Sequence, residues 1–349
     1  MSPIHKSGGT YLGSSRGGFD ADKILAAIES HGANVVFVIG GDGTHRGALK
    51  LVEAAAARKL PITIAGVPKT IDCDIPLMQQ TFGFATAVAQ AQQPIDCAHT
   101  EARSGKCVSV VQLMGRQSGF IALSASLASR DVNACLIPEA PWSMANVNTW
   151  LEHRLSRRDH AVLVVAEGAT CPEMKQGGHA HAGTDASGNP ILADVGEFIK
   201  SSVAAHFKSK GKDMPVKFIC PTYTIRSCAP NATDSNMCAR LAVNAVHGAF
   251  AGRTAFTVGI VDGQDVLLPI AAVASLPPRS VDINGQEYTA LCLSTGQPDF
   301  SPGAPDEQLM IAAESHARRK IAAGGGLRHA YTPRADLSDA AGIVEDVQD

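Results

Sequence analysis

Six short β-branched runs, at residues 35–39, 62–67, 108–113, 134–137, 162–165 and 218–220, recur along this chain with amphipathic stretches of helical length between them. Strands that are apolar without polar alternation must be covered on both faces. A helix between successive strands returns the chain so that each strand starts in the same direction. The pattern predicts a doubly wound α/β architecture with parallel sheets. Ligands in that class sit beyond the carboxyl ends of the strands, so the residues just after each run are the ones to inspect. At 349 residues, 45% hydrophobic and 18% charged, the chain is long enough for two such domains around one cleft.

Charge and composition narrow the partners. A formal net charge of -3 leaves no electrostatic footprint for nucleic acid. The longest apolar runs, such as residues 266–274, fall short of the roughly 20 residues that a spanning helix requires, and the N-terminus has no apolar signal region, so no membrane partner is expected. Nine cysteines, none in CxxC spacing and several within apolar strands (Cys107, Cys135, Cys220), read as reduced small hydrophobes and imply a reducing compartment, the cytoplasm by default with a plastid as the alternative.

Three motifs follow strands. Gly40-Gly41-Asp42-Gly43-Thr44 lies between the run 35–39 and a helix expected to start near His45. Glycines let backbone amides approach phosphate oxygens, and a helix N-terminus adds unpaired N–H groups. Asp42 there either holds a metal ion that neutralises phosphates or simply caps the helix. Pro68-Lys69-Thr70-Ile71-Asp72-Cys73-Asp74 follows the run 62–67. Two carboxylates one residue apart on extended backbone can face different partners, one a hydroxyl that must lose its proton and the other a metal or its waters. The plainer alternative is an acidic turn between sheet and helix. Met114-Gly115-Arg116-Gln117-Ser118-Gly119-Phe120-Ile121-Ala122 follows the run 108–113. Its arginine offers a planar fork of donors to a phosphate or to charge developing in transfer.

Gly-Gly-Asp-Gly-Thr alone is shared with NAD kinases and diacylglycerol kinases, but the three motifs together resemble the phosphofructokinase family, whose patterns are PKTIDND and MGRxSGFIA. The resemblance implies two doubly wound, Rossmann-like α/β/α domains with a cleft between them: residues 1–84 plus 231–300 binding nucleotide, 85–230 binding sugar phosphate, and 301–349 a C-terminal extension and tail. It implies transfer from Mg-ATP to fructose 6-phosphate, with Asp72 as the base, Thr70 and Arg116 assisting, and Asp42 and Asp74 organising Mg2+. Arg16, within Leu12-Gly13-Ser14-Ser15-Arg16, inherits a nucleotide-phosphate role alongside Gly41, Gly43, Thr44 and Lys69. The resemblance also places Thr70, Met114, Gly115 and Arg116 on the substrate and implies that Glu167 accepts sugar hydroxyls, while Tyr223 and Arg226 resemble sugar-phosphate positions of the plant and protist branch, with Lys217 reaching the same phosphate across a subunit interface of an expected homo-oligomer (a dimer or tetramer). Residues 294–300 (STGQPDF) also match that branch, so the resemblance covers residues 8–300.

Pyrophosphate-using relatives typically carry an aspartate where Gly43 stands and a lysine at the position of Lys69. Here only the lysine is present, which points to ATP and leaves pyrophosphate as the alternative. Two departures stand out. The family opens with a strand and a GGxxPGxN loop, whereas residues 1–7 here already adjoin Gly8-Gly9-Thr10, so the expectation is a nucleotide domain without its first strand and helix, either a truncated enzyme or a regulatory paralogue. Cys73 takes the place of the usual asparagine. His179 and His181 sit in a glycine-rich loop without ligand-spaced partners and read as exposed loop residues.

Overall fold

The computed structural model describes residues 3–13, 18–176, 183 and 192–305. In chain order the first half runs α1 (Ala21–Ser30), β1 (Val35–Gly40), α2 (Asp42–Ala57), β2 (Thr63–Pro68), α3 (Phe84–Gly105), β3 (Val108–Leu113), α4 (Phe120–Ser129), β4 (Ala134–Leu136), α5 (Met144–Leu155) and β5 (Ala161–Ala166). It continues with α6 (Pro172–Gln176), α7 (Val195–Ser209), β6 (Val216–Ile219), α8 (Thr222–Arg226), α9 (Ala232–Phe250), β7 (Phe256–Val261), β8 (Gln264–Pro269), α10 (Ile270–Ser275) and α11 (Gln286–Thr295).

Two sheets result. One has the order β1-β2-β7-β8, parallel except for β8, which folds back antiparallel on β7. The other, β4-β5-β3-β6, is parallel throughout. Largely apolar strands have the predicted consequence. Val111, Leu113, Val162 and Val164 feed a core shared with α3 and α4, while Val108, Val110, Leu163 and Val165 feed a second core under α5 and α7. Every residue of β5 is buried. At about 1.5–3 kcal/mol for each fully buried valine or leucine, these two layers dominate the favourable side of folding for this half. In the first sheet Ile64 packs with α1 and α2, and its neighbour Ala65 packs with α9 on the opposite face. The fold is the doubly wound, two-sheet α/β architecture that the strand pattern called for.

Helix ends follow local chemistry. The side chains of Asp20, Ser143, Asp194 and Asn231 each accept the N3 amide of the helix they open. By contrast α2 and α4 open at Gly41 and Gly119, which have no capping side chain.

Two sequence expectations shift, and one apolar run proves to be divided. The helix placed near His45 begins at Asp42, so Asp42, Gly43 and Thr44 form its first turn. The apolar run 266–274 divides between β8 and α10, because Pro269, lacking an N–H, ends the strand and caps the helix. The division that kept 231–300 in one piece with the first sheet does not match the packing. The segment through α9, β7 and β8 joins that sheet, whereas residues 286–300 pack on the second. There Leu291 enters the α3–α4 core, and Phe300 meets Trp150 edge-on at 5.5 Å. Gln297 explains why: its side-chain oxygen accepts from Cys135 N at 2.7 Å and its amide donates to Cys135 O at 3.3 Å, occupying the open edge of β4 as a strand would. The glycine-rich loop 177–189 apart from Gly183, the extension from residue 306 onward, and residues 14–17 lie outside the described residues.

Candidate active site at the strand ends

Register places the motifs side by side. β1 and β2 pair from Val35↔Thr63 to Gly40↔Pro68, so the Gly41–Thr44 turn and the Lys69–Asp74 turn leave the first sheet at one level. Lys69 N–H donates to Gly40 O at 2.8 Å, carrying the pairing one residue further. In the second sheet the β3–β5 register ends at Leu113↔Ala166, so Gly115-Arg116 and Glu167-Gly168 leave it together. There the chain comes so close to itself that a Cβ on Gly168 would lie 1.9 Å from Arg116 O. Gly115, at φ +137, lies in a region where side chains are rarely found, and its own Cβ would lie 2.4 Å from Ser118 O.

The two turns meet directly. Ser118 Oγ donates to the carbonyl of Asp72 at 3.0 Å. Within the acidic turn, Thr70 Oγ1 donates to Asp74 Oδ1 at 3.1 Å and accepts the Asp72 amide at 3.2 Å, while Thr81 Oγ1 donates to Thr70 O at 2.6 Å. Burial pushes the Asp72 carboxyl up to about 6, with the Asp74 and Glu167 carboxylates raising it further and the Arg226 and Lys69 cations pulling it back. Asp74 is also raised, mainly by burial, against the Thr70 hydrogen bond and with a contribution from Asp42. Asp42 in turn is paired with Arg46 one helical turn on. The structure thus gathers Asp42, Lys69, Thr70, Asp72, Asp74, the Gly115–Ser118 turn, Glu167 and Arg226 into one cleft at the strand ends. Met114, at the start of the Arg116 turn, is buried in the α3–α4 core.

Other predicted residues fall elsewhere. Tyr223, on the short helix α8 that also carries Arg226, is 84% exposed. Lys217 pairs with Ser109 near the start of β3, at the opposite end of the sheet from the cleft, and forms an ion pair with Glu101 at 3.7 Å. Its distance follows from register: four residues of strand, roughly 13 Å, separate it from the level of Leu113. Arg16 lies outside the described residues.

Three residues that the motifs did not flag help to shape the site. His45, buried, bonds through Nδ1 to Gly41 O at 3.0 Å and through Nε2 to Thr257 Oγ1 at 2.9 Å. A carbonyl only accepts, so Nδ1 carries a proton there, and burial is the main cause that lowers the pKa of the ring. Glu139 accepts the Gly119 amide and the Val281 amide, and Arg279 donates to several carbonyls of the acidic loop. Glu139 stands just past the strand at 134–137, a position at which a carboxylate could have been noticed; nothing in the sequence around Arg279 singles it out.

Carboxylates and basic side chains brought together where the strands of two sheets end mark an α/β protein of two doubly wound halves. The sequence profile described as Phosphofructokinase matches residues 1–249, and the chain belongs to that family. It is 44% identical over 308 residues to ATP-dependent 6-phosphofructokinase 7 of Arabidopsis thaliana, covering 86% of this chain and 62% of that protein. It is also 44% identical over 287 residues to ATP-dependent 6-phosphofructokinase of Trypanosoma brucei brucei, covering 81% of this chain and 58% of that protein. The chain therefore spans about three-fifths of the length of these curated relatives. In fold it resembles the crystal structure of a pyrophosphate-dependent phosphofructokinase from Marinobacter aquaeolei, with a TM-score of 0.67, 22% identity, and 86% of this chain and 76% of that one covered.

Proposed function

We propose that this chain carries out phosphoryl transfer from Mg-ATP to the 1-hydroxyl of fructose 6-phosphate, giving fructose 1,6-bisphosphate. The observation that carries this reading is Asp72, a carboxylate in the cleft between the two sheets with its pKa raised to about 6. A hydroxyl attacking phosphorus must lose its proton, and a base whose pKa lies near working pH accepts it best. In this reading Asp72 takes the proton and Thr70 orients the carboxylates. Arg116 and Arg16 meet charge on the transferring group, Glu167 holds sugar hydroxyls, and Arg226 with Tyr223 holds the sugar phosphate beside Met114 and Gly115.

Gly41, Gly43, Thr44 and Lys69 would receive the donor's phosphates. A Cβ on Gly43 would meet nothing within 4 Å, so no packing demands a glycine there. Glycine inside a helix costs about 1 kcal/mol relative to alanine, and the open room it leaves suits a further phosphate of ATP. The nucleotide thus falls to the first sheet and the sugar phosphate to residues 85–230.

Magnesium fits the donors available. Among the described residues no group of three or more His, Cys, Asp or Glu forms a complete cage, and Mg2+ is ordinarily held by one or two carboxylates with waters and substrate phosphates. Asp42 and Asp74, close enough for one carboxylate to raise the pKa of the other, would hold it, and the ion would offset phosphate charge. Lys217 stands away from the cleft of its own chain, so its sugar-phosphate role belongs to a homo-oligomer, with the cytosol as the proposed setting. Among the described residues no helix is long and apolar enough to cross a membrane.

The test is product formation by the purified chain with magnesium, fructose 6-phosphate and either ATP or pyrophosphate. Product with ATP and none with pyrophosphate is expected. Product with pyrophosphate alone would overturn the reading of Gly43. Folded protein inactive with both donors would overturn the catalytic reading and leave a regulatory ligand-binding partner.

A further inference from the structure

The acidic loop that carries Asp72 and Asp74 has little structure of its own. Cys73 and Leu77 both adopt left-handed backbone, at φ +56 and +66, a conformation disfavoured for residues with a Cβ. Residues 73–79 lie in neither a strand nor a helix, so their carbonyls need donors from outside the loop. Most of those donors come from one residue. Arg279 N–H donates to Asp74 O at 2.8 Å, and its guanidinium Nη1 donates to Met78 O at 2.7 Å and Gln79 O at 2.9 Å, with Cys73 O at 3.5 Å. The same guanidinium lies over the ring of Phe120, its Cζ 4.9 Å from the centroid, and Phe120 is the first residue of α4, next to the Gly115–Gly119 turn. Two residues on, Val281 N–H donates to Glu139 Oε1 at 2.8 Å, and that carboxylate also accepts the Gly119 amide at 2.9 Å. A Cβ on Gly119 would lie 2.9 Å from Glu139 Oε2 and 2.5 Å from Ile137, so the carboxylate and the turn are fitted to each other.

We infer that Arg279, backed by Glu139, is a positioning residue: residues 279–281 form a strap that fixes the Asp72–Asp74 loop of the first sheet against the Arg116 turn of the second. Neither residue is assigned contact with substrate. The strap sets the separation between the group that takes the proton and the turn whose arginine faces the transferring phosphoryl group, and in phosphoryl transfer such placement carries much of the rate. Its kinetic part rests on the proposed transfer reaction, while its structural part does not.

The experiment uses the full chain with Arg279→Met, Arg279→Lys and Glu139→Gln, each assayed for transfer and for amide hydrogen exchange. Arg279→Met is expected to lower kcat roughly tenfold to a hundredfold while leaving KM for both substrates within about twofold. Arg279→Lys should not restore kcat, because the ammonium is a point charge on a flexible stem and does not reproduce a planar guanidinium held over the Phe120 ring. Glu139→Gln retains a side-chain acceptor and should be the mildest of the three. In both Arg279 variants amides of residues 73–79 should exchange about tenfold faster, while those of β5 keep their protection. Unchanged exchange at 73–79, full rescue by lysine, or a loss of activity that only tracks loss of folded protein would each overturn the inference. If the unaltered chain makes no product with either donor, the transfer reading fails, and the exchange measurement alone decides whether the strap exists.

Discussion

The two turns that leave the first sheet beside each other are built in opposite ways. Gly41–Thr44 is local: it runs straight from β1 into α2, its amides are drawn into the helix, and Thr44 N and His45 N both donate to Gly41 O. Lys69–Gln79 is held from a distance, by Thr81, Ser118, Arg279 and the Gln79–Asp262 contact at 2.6 Å. A turn that only has to present backbone to phosphate can be made by glycines and a helix start. A turn that must keep two carboxylates desolvated and close together needs support from other parts of the fold, because each charge opposes burial and the other. The difference teaches that the glycine turn tolerates change at its surface, while the acidic turn depends on residues far along the chain.

The comparison can be broken most sharply at Asp72. Replacing it with asparagine is expected to lower turnover by about 10²–10⁴-fold while fructose 6-phosphate binding, followed by calorimetry, is retained. The same variant should be more stable at pH 7.5, melting about 2–4 °C higher, since a buried charge is removed. The sign follows from the shift. With its folded pKa raised to about 6 from 3.8, Asp72 binds its proton more tightly in the native state, so stability is lost as pH rises through that window. The gain in melting temperature should accordingly vanish below about pH 4. For the same reason kcat/KM of the unaltered chain should climb as pH rises through about 6.

In the glycine turn the largest expected effect is on donor choice. Gly43→Asp places a carboxylate in open space where the donor's phosphates are proposed to lie and should raise KM for ATP by roughly tenfold or more, with the fold unaffected. Adjacent glycines should then separate cleanly in thermal melts. A Cβ on Gly40 would sit 2.2 Å from Thr44 Oγ1, so Gly40→Ala should destabilise by about 1–3 kcal/mol. Gly43→Ala has nothing within 4 Å and should be neutral or stabilising by up to about 1 kcal/mol. Smallest of all is Cys73→Asn. Asparagine accepts left-handed backbone more readily than most residues, and kcat should stay within about twofold of the unaltered chain.

Much of the fold was legible because its signals are local. The apolar run at 162–165 and the largely apolar run at 108–113 have the length and β-branched content of strands covered twice, and Asp194 before an amphipathic stretch marks a helix start. The antiparallel pair β7–β8 leaves a fainter mark, a two-residue Asp262-Gly263 turn between two short runs, beside the stronger parallel pattern. Motif residues at strand ends were found for the same local reason. Lys217 shows the limit: its strand was anticipated, but only register reveals that it lies at the other end from the cleft.

By itself the sequence determined the alternation of strands and helices, the glycines that a close backbone approach requires, and the acidic and basic types available for chemistry, because each depends on neighbours a few residues away. Tertiary structure decided which of those groups meet. It brought Asp72 within the field of Glu167 and Arg226, sent residues 286–300 to the second sheet through Gln297, and put Arg279 under the acidic loop. Such pairings depend on register and on donors hundreds of residues apart finding carbonyls that nothing local can satisfy, and no short stretch of sequence carries that information.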